Sequence, residues 1–64
     1  MEIKEARKKA RYSQEQAAEL LGMSRPTYAK IENNPDVASI EDAKNIAALF
    51  EVEVEEIFFG RNYS

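Results

Sequence analysis

The side chains with the most directed chemistry lie between Gln14 and Asn34. Arg25 can donate two hydrogen bonds at once to guanine O6 and N7; the same group otherwise grips a phosphate or stays solvated. Lys30 suits a base edge or a phosphate. Thr27 can pack on a thymine methyl or bond a phosphate, or simply steady the first turn of a helix. Gln14, at the start of a preceding helical pattern, can hold a phosphate through its amide and the helix N-terminus, or serve as a plain first-turn polar residue. Ser24 offers a hydroxyl toward the backbone, Asn33 and Asn34 offer amides, and Pro26 can press on a base methyl. Capping and turn roles account for these last four equally well. Tyr28 and Ile31 alternate with the polar set and read as the inward side. Two short helices joined by a tight turn are the layout that sets one helix in the DNA major groove.

Other chemistries find little support. The sequence has no histidine and no cysteine, which removes the commonest general base, the commonest zinc ligands and any disulfide framework. No glycine-rich phosphate loop is present. Glu53, Glu55 and Glu56 read as a solvated acidic face, so catalysis, cofactor and metal are not expected. Nothing resembles a membrane span or a signal peptide, and a soluble, cytoplasmic protein is the expectation.

Sixty-four residues give one domain with a small core. The net charge of −3 is unevenly spread. Residues 1–34 carry seven basic and five acidic residues, while residues 35–64 carry two and seven. A basic half can face DNA while an acidic half keeps the molecule soluble.

Local signals divide the chain into helices. Ile3, Ala6 and Ala10 recur at helical spacing and predict a first helix over 2–11, with Lys4, Lys8 and Arg11 on another face. Ser13 with Gln16 is a capping box, Ala17, Leu20 and Leu21 supply an inward face, and Gly22 suits a left-handed stop. Ser24 caps a third helix with Pro26 in its first turn, and Pro35 ends it. Ser39 and Asp42 form another box before a fourth helix, whose inward stripe is Ile40, Ala43, Ile46, Ala47 and Phe50. Val54 to Phe59 predicts a short fifth helix closing the core with Val54, Ile57 and Phe58, and 60–64 is a short tail. Phe59 and Tyr63 exceed what this core needs and are candidates for a dimer or partner surface.

Taken together, these pieces resemble the Cro/CI-like (XRE) helix-turn-helix domain of bacterial and phage regulators. The resemblance runs from about Ile3 to Phe58. Its pieces are Arg7, SQE at Ser13–Glu15, A-x-x-L-G at Ala18–Gly22, MS at Met23–Ser24, TYAKIE at Thr27–Glu32, SIE at Ser39–Glu41, IA at Ile46–Ala47 and VEEIF at Val54–Phe58. It implies an all-α, five-helix, lambda-repressor-like domain over 1–64, with the helix-turn-helix at 14–33 and the third helix as reader. It implies base contacts by Arg25, Pro26 and Lys30, and phosphate contacts by Gln14, Ser24, Thr27, Asn33 and Asn34. It also implies an ion pair between Arg7 and Glu32 that ties the first helix to the reader. The chain departs from the family in having Ala6, Ala17 and Ala43 where leucine is frequent. Pro35 and Asp36 stand where many relatives carry lysine or arginine after the reader.

The expected function is sequence-specific binding of double-stranded DNA, as a homodimeric repressor on a palindromic operator. The competing expectation is a protein-interaction module of the same fold, such as an antitoxin or an antagonist of another regulator. It draws on the acidic C-terminal half.

Overall fold

The computed structural model describes residues 1–59, with side chains through Phe58. All of its regular elements are helical: α1 (Ile3–Lys9), α2 (Gln14–Leu21), α3 (Arg25–Asn33), a 3-10 turn (Pro35–Val37), α4 (Ile40–Phe50) and α5 (Glu55–Phe59), the last wound as a π turn. The expected tail at 60–64, including Tyr63, lies outside the described residues, as does the Phe59 side chain.

The helix starts follow from local hydrogen bonds. Ser13 Oγ accepts from the Gln16 N–H at 3.0 Å while Gln16 Oε1 accepts from the Ser13 N–H at 2.9 Å. A similar reciprocal pair between Glu2 and Glu5 opens α1. Ser24 accepts from the Thr27 N–H. At Ser39 the serine arm of the expected box forms, accepting from the Asp42 N–H at 3.0 Å. Each such cap stabilises its helix by about 1 kcal/mol.

The stops differ in chemistry. Gly22 ends α2 at φ +74, whereas Glu51 ends α4 at φ +59. A Cβ on Gly22 would meet nothing within 4 Å, so its constraint is purely conformational. Gly22→Ala is therefore expected to destabilise by about 1 kcal/mol, and Glu51→Gly to relieve a comparable strain. Urea denaturation of the two variants should move the midpoints in opposite directions; a shift of the same sign would contradict the assignment.

The core draws on every helix: Ile3 and Ala6, Ala17 and Ala18, Tyr28 and Ile31, Ala43, Ile46, Ala47 and Phe50, and Ile57 and Phe58. α1 packs on α4 and α5, and α2 packs on both α3 and α4. The small residues at Ala6, Ala17 and Ala43 are buried, and the largest fully enclosed side chains are Tyr28, Ile3 and Ile46. Val54, Ala10 and Leu21 pack against this core while partly buried.

Three expectations are corrected. The first helix stops at Lys9 rather than continuing to residue 11, because Arg11 turns to φ +69. Leu20 is 61% exposed and Ala18 is buried in its stead. Ala17, Ala18 and Leu21 span one arc of α2, and Leu20 falls about 110° from its centre. Ile40 is 74% exposed. It has the right helical phase but is the first residue of α4, where the described residues leave it uncovered.

Candidate nucleic-acid interface

α3 is anchored through Tyr28 and Ile31, which are buried, while Arg25, Pro26, Thr27, Lys30 and Asn33 are all exposed. Pro26, Lys30 and Asn33 follow i, i+4, i+7 spacing, so they line one stripe of the helix; Thr27 and Lys30 are neighbours at i, i+3. Neither the Arg25 nor the Lys30 side chain makes a hydrogen bond or ion pair among the described residues. Arg25 is the first residue of α3. A cation there faces the positive end of the helix dipole, which disfavours it by about 0.3–1 kcal/mol in the absence of an anion.

The Ser24–Thr27 pair is more specific than its spacing suggested. Ser24 Oγ accepts from the Thr27 N–H at 3.3 Å and donates to Thr27 Oγ1 at 2.8 Å. The Ser24 proton is thus used internally, and Thr27 keeps its own hydroxyl proton for an outside acceptor. Of these two, Thr27 is the better placed to bond a phosphate. Asn33 and Asn34, both exposed, sit at the last turn of α3 and its C-cap.

Behind the exposed face lies a buried polar network. Arg7 Nε donates to Glu32 Oε2 at 2.6 Å, and Arg7 Nη1 donates to the Tyr12 carbonyl at 2.9 Å. Gln14 Nε2 donates to Glu32 Oε1 at 3.0 Å. One carboxylate therefore joins α1, the first residue of α2 and the end of α3. The Arg7 and Glu32 side chains are only 9% and 4% exposed. Burial opposes the charge on Glu32, but hydrogen bonds from Arg7 and Gln14 outweigh it and hold the carboxyl below the usual carboxylate range. The hydrogen bond to Glu32 likewise raises the Arg7 guanidinium against the opposing effect of burial. The fully buried Tyr28 hydroxyl lies beside this pair without a hydrogen bond of ordinary geometry. Burial and the neighbouring Glu32 charge push the phenol well above its ordinary pKa.

Two features of this network escaped the sequence reading. Gln14 is half-buried and its amide nitrogen is directed by Glu32, so the side chain assigned to phosphate is also a strut of the scaffold. Tyr12 contributes its backbone carbonyl to Arg7, and its ring lies 6.0 Å from Phe50. A carbonyl leaves no mark in residue type, and the Gln14–Glu32 contact spans 18 positions. The Ser24–Thr27 hydroxyl pair was legible in principle, because both ends carry a hydroxyl at i, i+3 spacing.

No helix among the described residues is long and apolar enough to cross a membrane. No solved structure matches the chain. A 57-residue stretch is 37% identical to an "uncharacterized HTH-type transcriptional regulator", YgzD, of Bacillus subtilis (strain 168), covering 89% of this chain and 86% of that protein. The helix-turn-helix family model matches residues 3–57, from the start of α1 into α5. With five helices among the described residues, its capped α2–α3 pair and these two likenesses, the chain belongs to the XRE-type helix-turn-helix family of DNA-binding transcriptional regulators.

Proposed function

We propose that this protein is a sequence-specific repressor that acts in the cytoplasm as a homodimer on a palindromic operator, its single domain spanning 1–64. The observation that carries this reading is the exposed pair Arg25 and Lys30, whose side chains have no partner among the described residues, on a helix whose opposite side is locked into the core. In this reading Arg25, Pro26 and Lys30 meet base edges. Thr27, Gln14, Asn33 and Asn34 hold phosphates, and Ser24 acts chiefly through Thr27. The Arg7–Glu32 pair sets the angle of α3. Two such helices about 34 Å apart read successive major-groove faces of a two-fold operator. Repression follows by occlusion of a promoter.

Selection from a random duplex pool tests this directly, and an enriched palindrome is the expected result. A dimer that contacts about six phosphates should bind it with a slope of log affinity against log salt near −5. A shallow slope with no enriched sequence would remove the reading.

A second reading has its own support. Val37 and Ile40 are exposed apolar residues at 51% and 74%, close in sequence to Asp36, Glu41 and Asp42. Such a surface fits either the second subunit of a homodimer or a different protein bound by an antitoxin or antagonist; Phe59 and Tyr63 are further candidates for that role from their residue type alone. A stoichiometric heterologous partner in a pull-down, with the duplex selection failing, would favour the latter.

A further inference from the structure

Tyr28 carries a buried hydroxyl that the fold does not use. The side chain is fully enclosed, and its oxygen has no hydrogen-bond partner among the described residues. Acceptors are nevertheless close by. Glu32 lies at i+4, one turn further along α3 on the same side of the helix. Both Glu32 and Arg7 are near enough to bear on the ionisation of the phenol. A buried hydroxyl left without a partner is a cost that phenylalanine would avoid. An idle donor held beside a buried carboxylate implies a second arrangement of the network in which that donor is used.

The carboxylate itself shows where the opening lies. Glu32 Oε2 accepts from Arg7 Nε at 2.6 Å. Oε1 accepts from Gln14 Nε2 at 3.0 Å, and from Arg7 Nη2 only at the long distance of 3.5 Å. Gln14 is thus the main donor to Oε1. It is half-buried at the first position of α2, whereas the Glu32 side chain is 4% exposed. An amide turned inward to that carboxylate cannot serve an outside phosphate unchanged, because one NH2 group shared between them would hold two anions close together. Once Gln14 turns outward, Oε1 keeps only the long contact to Arg7, in a place that water scarcely reaches. A buried acceptor and a buried donor then stand side by side, and a bond between them satisfies both.

We propose that the Tyr28 hydroxyl is a reserve donor, which takes up the Glu32 carboxylate when the Gln14 amide turns outward to a DNA phosphate. The swap exchanges a tie between α2 and α3 for one within α3. It leaves the Arg7–Glu32 pair, and hence the seat of the reader helix on α1, in place. Tyr28 is then a positioning residue that touches no DNA. The proposal rests on the DNA-binding reading above, in which Gln14 holds a phosphate.

Two double-mutant cycles on the full chain test it, both built from Gln14→Ala and Tyr28→Phe. The first reads thermal stability without DNA. Tyr28→Phe alone should melt at or above the temperature of the parent, because it removes an unpartnered hydroxyl and keeps the ring. In the Gln14→Ala background the hydroxyl already serves Oε1, so the same substitution should lower the melting temperature. The second cycle reads affinity for the selected operator. Tyr28→Phe alone should weaken binding roughly tenfold per subunit, the worth of one hydrogen bond to a charged group. With Gln14→Ala in place it should change affinity little, since no amide remains to be released. Preference among operator sequences should be the same throughout, because Tyr28 meets no base.

A Tyr28→Phe variant that melts below the parent overturns the proposal, because the hydroxyl would then be bonded already in the free protein. An additive cycle in either measurement overturns it as well, since a ring that merely shapes α3 acts alike in both backgrounds. Each of these results leaves the DNA reading intact. A parent chain that selects no operator removes both.

Discussion

Arg25→Ala is expected to weaken binding to the selected operator by about 2 kcal/mol per half-site, roughly thirtyfold, and to erase preference at one base pair of each half-site. Fold stability should not fall with it. Arg25 is exposed at the first position of α3 with no partner among the described residues, and removing a cation from the positive end of a helix dipole favours the helix slightly. This separation distinguishes a reader from a scaffold residue. A phosphate contact would instead weaken all sequences alike and make the salt slope shallower by about 0.9 per subunit. The measurement is a repeat of the duplex selection with the variant, alongside its melting curve. Unchanged specificity would remove Arg25 as a base reader and shift that role to Lys30, on the stripe it shares with Pro26.

The second large effect lies behind the interface. Glu32→Gln is expected to destabilise the domain by about 3 kcal/mol, because it leaves the buried Arg7 guanidinium without a countercharge. For a chain of this size that corresponds to a Tm lower by roughly 12–24 °C. The new amide cannot satisfy its neighbours either. Glu32 accepts from Arg7 on both oxygens and from Gln14 on Oε1, so an NH2 group would face a donor whichever way it turned.

The same substitution changes the pH dependence. Glu32 has a carboxyl pKa lowered in the folded state. Its contribution is therefore complete above the unfolded-state value, near 4.5, and is lost as pH falls through the lower folded-state value. The parent should lose stability on acidification below about pH 4.5, and Glu32→Gln should lack that component. Arg7→Ala should cost a similar amount, and the double variant much less than the sum of the two. Denaturant titrations at pH 7 and pH 3.5 measure all of these. A variant within about 1 kcal/mol of the parent, with the same acid response, would show that water screens the pair as it does at a surface.

The two predictions meet at Gln14. Its amide nitrogen is bound to Glu32, so loss of the carboxylate also frees the side chain proposed to hold a phosphate. α3 is connected to α1 through the same carboxylate. A change at residue 32 is therefore felt at the reading face, whereas a change at residue 25 stays local.

Much of this was legible in the sequence because it is local. The caps at Ser13, Ser24 and Ser39, the left-handed stop at Gly22 and the end of α3 before Pro35 each depend on residues within about four positions. Helical periodicity likewise located Tyr28 and Ile31, and Ala43, Ile46, Ala47 and Phe50, on inward faces. The exposed stripe of α3 followed as the complement of its buried one.

Tertiary structure decided what depends on which element covers which. Leu20 is outside and Ala18 inside because α3 and α4 approach the side of α2 that holds the two alanines. Ile40 has the periodicity of a core residue, but at the first position of α4 it stands exposed among the described residues. The Gln14 amide and the Tyr12 carbonyl joined the Arg7–Glu32 pair through contacts that residue type does not announce. The left-handed turn at Arg11 arose where the sequence pattern continued a helix. Short-range hydrogen bonding is written in residue types, whereas burial and buried polar networks are properties of the assembled helices.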